Sequence, residues 1–125
     1  MSVISEKRTY DSWLYDFDCS ALLSPGEVIT SIVSVACDDP AIGLICSYPI
    51  VSPNDVVYKD GHLAPSGQVI QVQIGGGTIP VDADSLGLGV PNVLCTVRAK
   101  FQTNFSPDQG DATVLILLQD QILPL

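Results

Sequence analysis

Nucleophilic and acid–base chemistry need a base within reach of a nucleophile or of a second acid. This chain of 125 residues offers one histidine, His62. It follows Asp60-Gly61, a pair that favours a tight hairpin turn, so His62 reads as a surface turn residue and not as a positioned base. Three carboxylate pairs stand out: Asp16/Asp18, Asp38/Asp39 and Asp82/Asp84. Acid–base work would require a neighbour that drives the two pKa values of a pair apart, and the sequence offers none. Asp82-Ala83-Asp84-Ser85 alternates oxygen ligands but lacks the Gly and terminal Glu of a calcium hand. Asp82 and Asp84 are therefore the metal candidates of an incomplete motif, and no metal is expected. Gly75-Gly76-Gly77 has neither phosphate-loop nor dinucleotide spacing and reads as a flexible strand end. No residue is assigned a catalytic role, and neither an enzyme activity nor a cofactor is expected.

The four cysteines, Cys19, Cys37, Cys46 and Cys95, contain no C-x-x-C pair. With one histidine they do not make a zinc set. The first residues lack the charged and apolar regions of an export signal, which implies a reducing cytoplasm where thiols stay free. Free cysteines acting as small buried hydrophobes are expected, although spacing alone leaves open whether Cys37 and Cys95 approach closely enough to bond.

Charge narrows the partners. There are 14 acidic and 5 basic residues, for a net charge of −9, and Lys7, Arg8, Lys59, Arg98 and Lys100 are dispersed. Binding nucleic acid relies on clustered cations that release counterions from phosphates, and attraction to an anionic membrane needs the same. Neither partner is expected. No apolar run is long enough to cross a bilayer.

The elements that must position any site are short strands. Residues 13–19 put Trp13, Tyr15, Phe17 and Cys19 on one face and Asp16 and Asp18 on the other. Residues 27–37 carry β-branched side chains on both faces, as a central or covered strand does. A strand over 42–48 is expected to end at Pro49, because proline has no amide to donate. Lys59-Asp60-Gly61 marks a hairpin, and residues 68–74 alternate with Ile70, Val72 and Ile74 inward. Residues 78–91 form a long loop, a class more often functional than accidental. Residues 93–103 put Val93, Cys95, Val97, Ala99 and Phe101 inward and Arg98 and Lys100 outward. Residues 111–119 form the last strand. Such an inventory predicts a single all-β domain, an antiparallel β-sandwich of immunoglobulin-like type, with a jelly roll as the alternative. The expected divisions are an N-terminal arm at 1–12, the sandwich at 13–119 and an apolar C-terminal tail at 120–125.

Trp13-Leu14-Tyr15-Asp16-Phe17, followed by Leu23, Gly26-Glu27, Ile29 and Ser31, resembles the opening of small immunoglobulin-like virion proteins of tailed bacteriophages. Cys95-Thr96-Val97-Arg98-Ala99 leading to Gly110-Asp111-Ala112-Thr113-Val114 is similar in layout to their last two strands. About half of the chain is covered, and the stretch 42–91 is expanded beyond the pattern. The resemblance implies a neck, collar or fiber-tail adaptor subunit that attaches at the head–tail junction or the tail. A capsid decoration protein is the alternative, and a carbohydrate- or calcium-binding module a more remote one. The implied partners are other virion proteins (adaptor, portal, tail, fiber or capsid) in a ring or symmetric array. The implied location is the virion, assembled in the host cytoplasm. The expected contact residues are Arg98 and Lys100 on the outer face of their strand, with Ile122, Leu123 and Leu125 in the tail.

Overall fold

Alternation and β-branching predict strands wherever apolar residues recur at period two. The computed structural model of the chain, which describes residues 4–105 and 110–120, bears this out. β1 is Ile4–Lys7, β2 Trp13–Asp18, β3 Ile29–Cys37, β4 Leu44–Val51, β5 Val56–Val57, β6 Leu63–Ala64, β7 Val69–Gly76, β8 Val93–Thr103 and β9 Gly110–Leu118. Among the described residues the only helical turns are short 3-10 segments at Ser20–Leu22 and Pro40–Ile42. No helix there is long and apolar enough to cross a membrane.

One sheet has four strands in the order β1-β9-β8-β3, and the second has three in the order β2-β7-β4. Their inner faces form the core of a β-sandwich. Tyr15, Phe17, Ile70, Val72 and Ile74 from one sheet pack against Val97, Ala99, Phe101 and Ile116 from the other. Each fully buried branched or aromatic side chain stabilises the fold by about 1.5–3 kcal/mol. A smaller cluster of Ile42, Cys95 and Leu118 closes one end. β5 and β6 make the hairpin expected around Asp60-Gly61, with Tyr58 N donating to His62 O at 3.1 Å and Gly61 N to Tyr58 O at 2.9 Å.

Several expectations need correction. Residues 1–12 were expected to be an arm, yet Ile4–Lys7 forms an edge strand. It lies parallel to β9, from Ile4 opposite Leu115 to Lys7 opposite Leu118, whereas the other ladders are antiparallel. Pairing at a sheet edge is made by backbone groups, so a polar composition does not forbid it. β3, expected to be central or covered, is an edge strand. Its ladder to β8 shifts register between Ile29 and Ser31 and again between Ile32 and Ser34. Such bulges re-aim side chains along an edge, and Val33 is left exposed.

Pro49 does not end its strand. β4 runs on to Val51 through a register shift between Ser47 and Ile50. Because β4 is an edge, a residue without an amide is tolerated at the bulge. The glycine triplet is also not a loose end. Gly77 has φ +108°, and a Cβ there would lie 2.8 Å from Leu118 Cδ2, so the chain needs glycine where it crosses the core rim. The tail residues Ile122, Leu123 and Leu125 lie outside the described residues, as do 1–3 and 106–109.

Candidate functional site

β2 pairs with β7 along one edge, and beyond its other edge a groove of about 1230 Å³ opens toward β9 and β1. β9 is covered by β1 from Leu115 onward. Among the described residues no strand pairs with that side of β9 between Gly110 and Val114, so this stretch and β2 present two strand edges to the groove. The β5–β6 hairpin stands at the rim with Tyr58, Asp60 and His62.

Acidic side chains from four elements line this groove: Glu6 of β1, Asp16 and Asp18 of β2, Asp60 of the hairpin and Asp111 of β9. Tyr15 is 9% exposed, and its hydroxyl has no hydrogen-bond partner. The Tyr58 hydroxyl is equally buried and unpartnered. Burial, reinforced by the nearby Asp18 and Asp16 carboxylates, pushes the Tyr58 phenol up to about 12. Burial, with Asp11 adding to it, also raises Tyr15. Trp13, at the start of β2, is 55% exposed and supplies an apolar wall.

His62 is the chemical centre of the rim. Its Nε2 contacts Asp18 Oδ2 at 2.7 Å, and its Nδ1 contacts Asp60 Oδ1. The ring stacks on Tyr58 with centroids 4.6 Å apart. Hydrogen bonding to Asp18, then to Asp60, raises the imidazole above its ordinary value. Burial works to raise Asp18, but hydrogen bonds from Ser20 and His62 outweigh it and hold the carboxyl low. A general base of the serine-hydrolase kind keeps one nitrogen for its nucleophile. Here both nitrogens face carboxylates, so the cluster joins the hairpin to β2 electrostatically.

The other candidate residues are placed elsewhere. Arg98 is claimed by its own chain, bonding Asp38 through Nε at 3.2 Å and Nη2 at 3.0 Å, and Asp111 through Nη1 at 3.2 Å. The Arg98 hydrogen bond holds Asp38 below the carboxylate range. Lys100 is exposed on the same outer face. The guanidinium is taken up in tying the middle of β8 to the residue after β3 and to the start of β9, so it does not present an open cationic surface with Lys100. Asp82 is exposed with φ +63°. Asp84 accepts from Leu88 N at 2.7 Å, Gly89 N at 3.0 Å and Asn92 Nδ2 at 2.6 Å, so its oxygens organise the 78–91 loop. Among the described residues no cluster of three or more His, Cys, Asp or Glu is arranged to hold a metal ion.

All four cysteines are free. Burial pushes the Cys19 and Cys95 thiols up to about 12, and the adjacent Cys37 contributes at Cys95. Of the residues that carry the family resemblance, Ile29 and Glu27 serve the fold. Ile29 is core, and Glu27 ties the turn after Leu23 to β8 by accepting from Ser24 N at 2.9 Å and Thr103 Oγ1 at 2.6 Å.

No protein-family model, no curated protein and no solved structure matches the chain. Reading along the sequence missed the groove, because Glu6, Asp16, Asp60 and Asp111 share no local motif. The alternation of 13–19 did contain the signal that Asp16 and Asp18 leave the core face together.

Proposed function

We propose that the chain is a structural subunit of a tailed-bacteriophage virion, of the neck, collar or fiber-tail adaptor type. The observation that carries the assembly part of this reading is a row of large apolar side chains on an edge strand. On β4, Ile45 is 62% exposed, Tyr48 84% and Ile50 51%. Natural edges are usually blunted with charge, and apolar side chains left on one suit a surface that another protein covers. The phage part rests on the Trp13–Phe17 and Gly26-Glu27 resemblance, and an immunoglobulin-like strand arrangement belongs to the same reading. The subunit does no chemistry, assembles in the host cytoplasm and joins other virion proteins in a ring or symmetric array.

The test is copy number and location in purified particles. Six or twelve copies at the head–tail junction or tail support the reading, the order expected of a ring set by its platform. Hundreds of copies over the capsid would replace it with the decoration reading, and absence from particles would end both. A carbohydrate module is less favoured. Exposed Trp13 and Tyr48 lie on opposite edge strands of the three-stranded sheet and do not make one stacking platform.

A further inference from the structure

We propose that the groove between β2 and β9 binds an extended, positively charged peptide segment of another protein. This goes beyond the assembly reading and stands on the groove alone. Three observations carry it. The first is shape. Small-molecule sites occupy about 300–1,000 Å³, and this groove is larger, at about 1230 Å³. Among the described residues it is flanked by strand edges, β2 on one side and Gly110–Val114 of β9 on the other. Unpaired strand edges are what an added strand recognises through backbone hydrogen bonds.

The second is charge. Glu6, Asp16, Asp18, Asp60 and Asp111 line the groove, and His62 is its basic lining residue. Asp18 and Asp60 face His62, and Asp111 faces Arg98. Glu6 and Asp16 have no ion-pair partner among the described residues. They stand on strands of opposite sheets, so an extended segment between them meets a carboxylate on either side. Lysines or arginines at alternate positions of that segment would share one face.

The third is an unanswered donor. Tyr15 is more than nine-tenths buried at the groove, with no partner for its hydroxyl. A buried hydroxyl left unpaired costs about 1–3 kcal/mol. A backbone carbonyl of a bound segment is the kind of acceptor that would answer it. Trp13 beside it offers apolar contact for the intervening side chains.

The experiment uses the whole chain and a short peptide of alternating lysine and valine. Trp13 is the only tryptophan and lies in the groove, so its fluorescence reports binding directly. A saturable change is expected that weakens with added salt, as exposed charge pairs do. The double variant Glu6→Gln with Asp16→Asn should lose about fivefold or more in affinity. Tyr15→Phe should also weaken binding, while its melting temperature is unchanged or higher, since it removes an unpaired polar group. That split separates a ligand contact from a purely structural role. Equal binding of an alternating glutamate–valine peptide would overturn the proposal. So would equal competition by spermine, which would mean charge attraction without strand recognition. Occupation of the groove by a second copy, seen as concentration-dependent dimerisation that quenches Trp13 without peptide, would also overturn it.

Discussion

The ammonium of Lys7, on the edge strand of the four-stranded sheet, donates to the carbonyl of Gly76 on the three-stranded sheet at 2.6 Å. It also donates to Arg8 O at 2.6 Å, and the residue is 1% exposed. A lysine is almost never so buried without partners. Burial lowers its pKa, with Asp11 and Asp120 working in the opposite direction. The side chain is therefore a strut between the sheets, and its aliphatic stem fills space that an alanine would leave empty.

Lys7→Ala is expected to lower the unfolding free energy by about 2–5 kcal/mol, through a cavity and an unpaired Gly76 carbonyl. Lys7→Met should recover more than half of the loss, because a buried charge exchanged for apolar volume is often near neutral. Urea denaturation of both variants checks this. A Lys7→Ala variant as stable as the parent would show that β1 is held by its backbone ladder alone.

A two-stranded hairpin is marginal by itself, so β5–β6 depends on His62. The His62 pKa is raised from 6.5. Its contribution to stability is thus complete below pH 6.5 and is lost as the pH rises through the higher folded value. Asp18 and Asp60 are lowered from 3.8. Their contribution is complete above pH 3.8 and is lost as the pH falls through the lower folded values. The clamp is therefore strongest between these limits. Amide exchange at Tyr58 and Gly61, corrected for intrinsic rate, should be slowest in that window and accelerate as the pH rises through the raised folded value of His62. In His62→Gln this pH dependence should vanish, and its persistence would mean that the hairpin is held by other contacts.

The long loop is tied from beneath by Asn92, which is 0% exposed. Its Nδ2 donates to Asp84 Oδ1 at 2.6 Å and Val90 O at 2.9 Å, and its Oδ1 accepts from Leu86 N at 3.1 Å. Asn92→Ala removes these three hydrogen bonds, one of them to a carboxylate, and should cost about 1–3 kcal/mol. Exchange at the Leu86, Leu88 and Gly89 amides should speed up, while the β8–β9 ladder stays protected. Calcium added to the parent protein should leave its melting temperature unchanged, since Asp84 already uses both oxygens. A saturable rise would restore Asp82 and Asp84 as ligands.

The thiols give a further test. With Cys19 and Cys95 buried and their pKa values near 12, little thiolate is present at neutral pH. Alkylation of the native protein should leave these two unmodified, whereas the denatured protein should take label at all four. Fewer than four labels after denaturation would reveal a bond.

What could be read from the sequence follows physical range. β8 and β7 were legible because both alternate and both are buried on the alternating face, so local pattern and tertiary burial agree. β1 was not, because a strand that contributes Lys7 and Glu6 leaves no apolar period. β3 misled because its bulges expose Val33, which a regular pleat would pair with the core. The groove was illegible for another reason: His62 meets Asp18 across 44 positions, and Asp111 joins them only through the pairing of β9. Carboxylate types and faces could be read along the chain, but their convergence is set by topology.

Tyr48 joins the fold to the proposed role most directly. It sits at the bulge of β4 with φ +54° and is 84% exposed. An aromatic residue in the left-handed region costs about 1–3 kcal/mol, and a side chain so exposed gains little from its own domain in return. Tyr48→Gly relieves that strain, while glycine gives back roughly 0.5–1 kcal/mol in chain entropy. A net gain of about 1 kcal/mol is expected in the isolated chain, read as a higher denaturation midpoint. If β4 is an assembly surface, the same variant should be incorporated into particles less efficiently despite its greater stability. Tyr48→Phe, which keeps both the strain and the ring, should assemble nearly as the parent does. Greater stability with undiminished incorporation of Tyr48→Gly would remove this edge from the assembly surface. Lower stability would show instead that the strained backbone is held by contacts the tyrosine makes.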